Sequence, residues 1–378
     1  MLHILGRKNR ETAVNINFGE LWTWGEGNLG VTGHGNQTDY SSPVQVGALE
    51  TWKAFTGGGR QNLAIAIKTD GTIWSWGTGA LGGNGRGNTT SVSSPVQIGG
   101  LTTWVEIANG QLCTKARKSD GTLWTWGYGG LGHNGLGDTL SISSPQQVGS
   151  LTTWGAVIRG NDSVQGGITT SNVLWMWGNN DSGGVGDSTT NRRSSPVQVT
   201  GDQNYASGSA GYKYTVAVKT DGTLWTWGYG GIGSLGHGNT TSLSSPAQVG
   251  SLTNWATVSC GTYGWCALKT DGTLWACGLN NSGQIGDGTT TNRSSPVQIG
   301  TDTNWMAPAS GRKNITAAKT NGTLWAWGEG SVGEIGEGAT TDRSAPVQVG
   351  VLTTWAPTNN SSGGNNPKDS AFAIKEAS

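Results

Sequence analysis

The stretch Asp120–Gly130, DGTLWTWGYGG, returns unchanged as Asp221–Gly231. A catalytic motif is needed once. A structural unit is needed as often as the architecture repeats, so the repeat is measured first. The first Trp of a W-x-W/C-G pattern falls at Trp22, Trp74, Trp124, Trp175, Trp225, Trp275 and Trp325, with spacings of 52, 50, 51, 50, 50 and 50. From each of these to the Pro of S-[SA]-P is 21 residues: Pro43, Pro95, Pro145, Pro196, Pro246, Pro296 and Pro346. Nine residues further on stands an aromatic: Trp52, Trp104, Trp154, Tyr205, Trp255, Trp305 and Trp355. We number the copies 1 to 7. All length variation lies between that aromatic and the next W-x-W/C-G.

The local pattern is β. In Thr215–Gly228, TVAVKTDGTLWTWG, two alternating runs flank Thr-Asp-Gly, and Asp-Gly between such runs is a strong hairpin signal. We label the strand after the aromatic A (Trp255–Ser259 in copy 6), the hairpin strands B and C, and the P-V-Q-V strand D. Pro at the start of D is tolerated because a first residue need not donate to the ladder. Units of four strands and about 50 residues, seven times over, predict an all-β, seven-bladed β-propeller. The two Trp of W-x-W share one strand face and are assigned to packing between blades. The chain ends on AFAIK (Ala371–Lys375), which matches strand B of copy 2, AIAIK (Ala64–Lys68), and the motif series opens on a strand C at Leu21–Gly25. Strands from both termini therefore close the first blade, which removes an open edge. Thr12–Ile16 is the alternative closing strand. Residues 1–17 become an N-terminal arm and 18–378 one propeller.

Composition narrows the function. Of 378 residues 66 are Gly and 20 are Trp, 12% are charged, and the formal net charge is zero. Disordered chains are poor in aromatics, so this glycine belongs to a packed structure. Neutrality gives no electrostatic footprint for nucleic acid or an anionic membrane. No window approaches the ~20 apolar residues of a membrane span, and the N-terminus lacks a secretory signal. The expected location is a virion or the cytoplasm. Cys113, Cys260, Cys266 and Cys277 form no C-x-x-C pair and read as reduced core thiols.

These landmarks resemble the regulator of chromosome condensation repeat family, most closely in Gly278–Gly288, GLNNSGQIGDG, followed by Ser294–Ile299, SSPVQI. The resemblance spans roughly residues 19–375 and implies a seven-bladed propeller whose termini share a blade. The family includes a nucleotide exchange factor for a nuclear small GTPase, a plant ultraviolet photoreceptor, and bacterial and phage proteins. This chain has no wedge insert and no Gly-Trp-Arg-His-Thr motif, and its low-charge, Thr/Ser/Asn-rich loops look more like the bacterial or phage members.

Motifs with chemical meaning reduce to structure. Gly127–Gly132, GYGGLG, matches G-x-G-x-x-G, but no helix is predicted after it. Asn179–Asp187, NNDSGGVGD, lacks the closing acidic residue of a calcium loop, since Thr190 holds the twelfth place. The interior histidines His34, His133 and His237 fall in copies 1, 3 and 5, too scattered for zinc. Arg192, Arg193, Arg293 and Arg343 recur before S-[SA]-P as loop charges. Cys277 stands where the other copies have the second Trp and makes room for neighbours such as Trp265. We expect no enzyme activity, cofactor or metal.

The variable segments are where recognition is expected, because loops on a rigid scaffold carry it. From the turn aromatic up to, but not including, the Lys that closes strand B they hold nine basic residues (Lys53, Arg60, Lys115, Arg117, Arg159, Lys213, Arg312, Lys313, Lys368) and three acidic ones (Glu106, Asp162, Asp369). Trp265 is the single Trp of 20 outside the landmarks and lies here, as do Tyr212, Tyr214 and Tyr263. Aromatics with Arg anchor interfaces. The candidate binding residues are Trp265, Tyr263, Tyr212, Lys213, Tyr214, Arg60, Arg159, Arg312 and Lys313, with Trp265 and Tyr214 equally readable as blade packing. Ala356–Ser370 is the longest variable loop. The expected function is a non-catalytic structural or binding propeller: a bacteriophage virion component (head decoration, fibre or tail-tip adhesion protein) or a bacterial surface interaction protein. Its partner is a protein, another virion protein or a cell-surface glycan. The alternatives are an exchange-factor-like regulator of a small GTPase and a glycan-binding, lectin-like propeller.

Overall fold

The computed structural model describes residues 19–48, 51–57, 62–110, 113–160, 163–355 and 370–376. The expected arm, the alternative strand Thr12–Ile16, Arg60 and all of Ala356–Ser370 except its last residue lie outside the described residues.

The described chain is strand and turn, with 3-10 turns of three residues each and no helix long enough to cross a membrane. Copies 2 to 7 each form four antiparallel strands in the order A–B–C–D. In copy 5 these are Tyr205–Ala210, Tyr214–Lys219, Leu224–Gly228 and Leu243–Gln248. Copy 1 supplies C (Gly19–Gly25) and D (Tyr40–Gln45). The other edge of that strand C pairs with Ser370–Glu376, from Gly19↔Glu376 to Gly25↔Ser370. Trp355 bridges to Lys375 beside it. Neighbouring units meet through their A strands: Ser209 Oγ accepts from Cys260 N (3.0 Å) and Ser259 Oγ from Ser310 N (2.9 Å).

The hairpin is a three-residue turn. Lys68 N donates to Thr72 O and Gly71 N to Lys68 O, both at 3.0 Å, and Gly71 sits at φ 78. A Cβ there would lie 2.0 Å from Thr102 O, so Gly is required by both conformation and space. Asp70 Oδ1 caps the turn by accepting from Thr72 N and Thr72 Oγ1. The odd-numbered turn shifts the register by one, so Cys277 faces Trp265 and not Cys266.

The two motif tryptophans divide their tasks. The first is half-buried; in copies 2, 3, 5, 6 and 7 it donates from Nε1 to the turn threonine, as Trp74 does to Thr72 Oγ1 at 2.9 Å, while Trp22 donates to Glu20 Oε2. The second is fully buried and donates to a carbonyl of the preceding unit: Trp76 to Val31 O (2.8 Å), Trp126 to Gly83 O (3.0 Å), Trp227 to Gly184 O (2.9 Å) and Trp24 to Glu334 O (2.9 Å). Packing between units is therefore locked by a bond as well as by area. At ~25 cal/mol per Å², an indole burying 150–250 Å² contributes about 4–6 kcal/mol before entropy.

One expectation needs correction. Strand D begins three residues before the Pro, as in Tyr40–Gln45. Pro43 sits where the register slips between Gly25↔Tyr40 and Thr23↔Val44. A bulge on an outer strand leaves the missing N–H without a ladder partner to disappoint.

Candidate protein-binding face

Because the strands alternate direction, the A–B and C–D loops gather at one end of every unit. Tyr212 and Lys213 lie between A and B of copy 5, Tyr263 in copy 6, Arg312 and Lys313 in copy 7, and all five are half-buried. The rings of Tyr212 and Tyr263 meet edge to face at 5.3 Å, and Tyr212 N donates to Thr262 O (2.9 Å). Lys213 Nζ stands 5.3 Å from the Tyr212 ring centroid and 4.0 Å from Asp181. Asp181 also takes Arg192 at 3.2 Å, and that bond, more than any other contribution, holds its carboxyl below the usual range. Lys213 is held at φ 60, a left-handed conformation that costs a non-glycine residue on the order of 1 kcal/mol and recurs at functional sites. Lys313 pairs with Glu329 at 3.0 Å. Arg312 Nη1 is buried without a hydrogen-bond partner among the described residues. With Lys313, Trp265 and Cys277 it lines a cavity of about 10 Å³, room for one water. Aromatic edges, cations and rim carboxylates on fixed loops suit recognition of a protein surface.

Two candidates leave this set. Trp265 is 1% exposed and its Nε1 donates to Ser234 O; Tyr214 is fully buried and its hydroxyl proton is shared between the Gly261 and Gly264 carbonyls (2.9 and 2.7 Å). Both face the neighbouring unit because they occupy strand B, whose two faces are both covered. Arg159 stays apart: it lies half-buried on strand A of copy 4, where burial pushes its guanidinium down to about 10 and Glu106 opposes the shift. The structure thus brings together Tyr212, Lys213, Tyr263, Arg312 and Lys313, and adds Asp181 and Glu329, which the sequence did not single out, and Arg192, which it marked only as a loop charge.

The remaining motifs have structural occupations. The Gly130–Gly132 segment of GYGGLG is a 3-10 turn of three residues. Asp187, in the calcium-like loop, is tied to Arg193 Nε at 2.6 Å and to Thr189 Oγ1 at 2.7 Å. Arg293 and Arg343 make the same pair with Asp287 and Glu337. The four cysteines are buried and form no disulfide. Sequence reasoning also missed a buried polar cluster between copies 3 and 4. Lys115 has no exposed surface, donates to Gln165 Oε1 and lies 5.9 Å from the Trp177 centroid. Desolvation lowers its ammonium to about 8. Burial and the Lys115 charge together lower the equally buried His133 to about 4.

Four-stranded antiparallel units, repeated and linked edge-inward with a loop face at one end, define a β-propeller of the protein-interaction class. The chain belongs to the regulator of chromosome condensation (RCC1) repeat family: that repeat matches residues 19–65, 171–218, 221–268 and 271–317. Human E3 ubiquitin-protein ligase HERC2 is 34% identical over 100 residues, 26% of this chain and 2% of HERC2. Mouse protein RCC2 is 32% identical over 98 residues, 26% of this chain and 17% of RCC2. The matches thus span less than a fifth of these relatives' own lengths. The crystal structure of Prp20p from Saccharomyces cerevisiae, described with its binding properties to Gsp1p and histones, superimposes with a TM-score of 0.83 at 18% identity, covering 99% of this chain and 94% of Prp20p.

Proposed function

We propose that residues 18–378 form one closed seven-bladed propeller, with residues 1–17 as an arm, acting as a non-catalytic regulator that binds a small GTPase in the manner of an exchange factor. Support for closure comes from the seven-residue register between Gly19–Gly25 and Ser370–Glu376, one residue longer at each end than the expected 371–375 strand. The observation that carries the functional reading is the likeness to Prp20p over nearly the whole chain, joined to family membership and to a loop face that offers anchors for a protein. The relatives favour this reading over a virion component.

The docking residues in this reading are Tyr212, Lys213, Tyr263, Arg312 and Lys313. A panel of small GTPases preloaded with fluorescent GDP tests it. One member should release nucleotide faster in the presence of this protein, and the double variant Tyr212→Ala/Tyr263→Ala should abolish the effect. If no GTPase responds, and none is retained by the immobilised protein, the exchange reading fails.

A further inference from the structure

Apart from the tyrosine pair, a cleft of about 470 Å³ opens between copies 1 and 2. Its walls include His34, Gln45, Lys68, Trp74, Ser94 and Pro95. Most of this frame recurs at every junction, as repeat packing requires. The residue twelve positions after the first motif Trp does not: it is His34, Arg86, Leu136, Asp187, His237, Asp287 and Glu337 in turn. At three junctions this position is a carboxylate already held by an arginine. At two it is histidine, and there the surrounding residues are identical in type: Gln248, Lys269, Trp275, Ser295 and Pro296 around His237 match Gln45, Lys68, Trp74, Ser94 and Pro95 around His34.

The hydrogen bonds at the two histidines also match. Thr23 Oγ1 donates to Thr32 O at 2.7 Å and lies 2.9 Å from His34 Nε2; Thr226 Oγ1 donates to Leu235 O at 2.7 Å and lies 2.9 Å from His237 Nε2. A hydroxyl has one proton, and here it is spent on the carbonyl. Nε2 must therefore be the donor, which leaves Nδ1 as an acceptor. Burial lowers both histidines from their usual value, with a hydrogen bond to the Thr23 backbone opposing it at His34, and so favours the neutral ring.

The lysines complete the set. Lys68 Nζ sits 3.7 Å from the Trp74 ring centroid and Lys269 Nζ 3.7 Å from that of Trp275. Neither makes an ion pair among the described residues, whereas the equivalent Lys319 and Lys375 pair with Asp302 (2.8 Å) and Glu20 (3.2 Å). Asp70 and Asp271 act on the two lysines through space only, their Oδ1 atoms being occupied by Thr72 and Thr273. Each junction thus offers an ammonium with unspent donors, a half-buried indole, an imidazole acceptor and a Gln amide.

We propose that the His34 and His237 junctions are two equivalent binding sites for a sugar residue bearing a carboxylate. The carboxylate meets the ammonium in a charge-assisted bond, the sugar's C–H groups meet the exposed edge of the half-buried indole whose face the ammonium covers, and a hydroxyl donates to Nδ1. The His237 junction adjoins the buried Trp265, whose ring would lie 3.2 Å from a Cβ on Gly236, but neither site uses the tyrosine pair, and the proposal stands independently of the GTPase reading.

Calorimetry with methyl β-D-glucuronide and a methyl sialoside, against methyl β-D-glucoside, tests it on the full chain. At least one acidic glycoside should bind with two sites per chain, and the neutral glucoside at least about tenfold more weakly. His34→Ala and His237→Ala should each leave one site, and the double variant none, with unchanged melting temperature confirming the fold. The proposal is overturned if neither acidic glycoside binds saturably, if the neutral one binds as well, or if binding survives the double variant.

Discussion

Trp265 donates from Nε1 to Ser234 O at 2.8 Å, the bond that the second motif Trp makes in every other copy, where copy 6 has Cys277. Ser234 stands nine residues after its motif Trp, as do the acceptors Val31, Gly83, His133, Gly184, Gln284 and Glu334. The indole has moved across the hairpin to the residue opposite, and the cysteine leaves the space it needs.

Trp265→Ala should therefore destabilise by about 3–5 kcal/mol, as a large core deletion does. Cys277→Trp alone should also destabilise, by overpacking. The double variant Trp265→Thr/Cys277→Trp reproduces the Thr215–Trp227 pair of copy 5 and should recover most of the loss. Urea melts of the three variants check this; additive losses would contradict the exchange.

The C–D loops pair the residues twelve and eighteen positions after the motif Trp as alternatives: Asp287 with Arg293 in copy 6, Leu136 and Ile142 in copy 3. Asp287→Leu alone strands Arg293 and should cost about 1–2 kcal/mol. Adding Arg293→Ile should recover part of that loss, because it removes the stranded guanidinium, while the Thr289 and Asn280 donors that Asp287 accepted from stay without it. Chemical denaturation of the single and double variants gives the comparison.

The periodic parts were legible in the sequence because packing between units repeats, and the same geometric problem selects the same residue each time. Nineteen tryptophans and the Pro landmarks placed the strands for that reason. Trp265 was readable both ways: a residue that breaks the pattern looks like function, while Cys277, twelve residues away, pointed to packing without fixing which residue it faces. The turn length set the register that pairs them, and that length follows from the Thr72-type bond closing Thr-Asp-Gly, which residue types alone do not reveal. Lys115 was counted among the basic residues of the variable segments. Its alternation with Cys113 and Arg117 along strand B, Cys113–Lys118, was the available signal that one of these cations points into a junction. The tyrosine pair was found as residues, but its carboxylate rim, Asp181 and Glu329, comes from C–D loops distant in sequence.

Acid should act through His133. Its folded value of about 4 lies below the ordinary 6.5, so between these values the unfolded chain holds the extra proton. The stability it contributes is complete above pH 6.5 and is lost as pH falls toward 4, by about 3 kcal/mol in all. His133→Val, the residue type at this position in copy 1, should flatten that part of the profile. The stability difference between parent and variant, measured from pH 7 to pH 4, is the readout.

Lys115 works in the same direction at higher pH. Its folded value of about 8 lies below 10.5, so a charged ammonium at neutral pH is a cost to the fold that disappears as pH rises through this window. Lys115→Ile alone removes the charge but leaves the Gln165 carbonyl oxygen without its donor. Lys115→Ile/Gln165→Thr reproduces Ile65 and Thr114 at the preceding junction, and should stabilise the protein at pH 7 by about 1–3 kcal/mol, as replacing buried charge by packed apolar atoms does elsewhere. The gain should shrink toward zero as pH is raised from 8 to 10.5, because the parent's unfolded chain then loses its protonated advantage. Denaturant melts at pH 7 and 10 decide it: a gain that does not depend on pH would mean that better packing, and not the removed charge, is the cause.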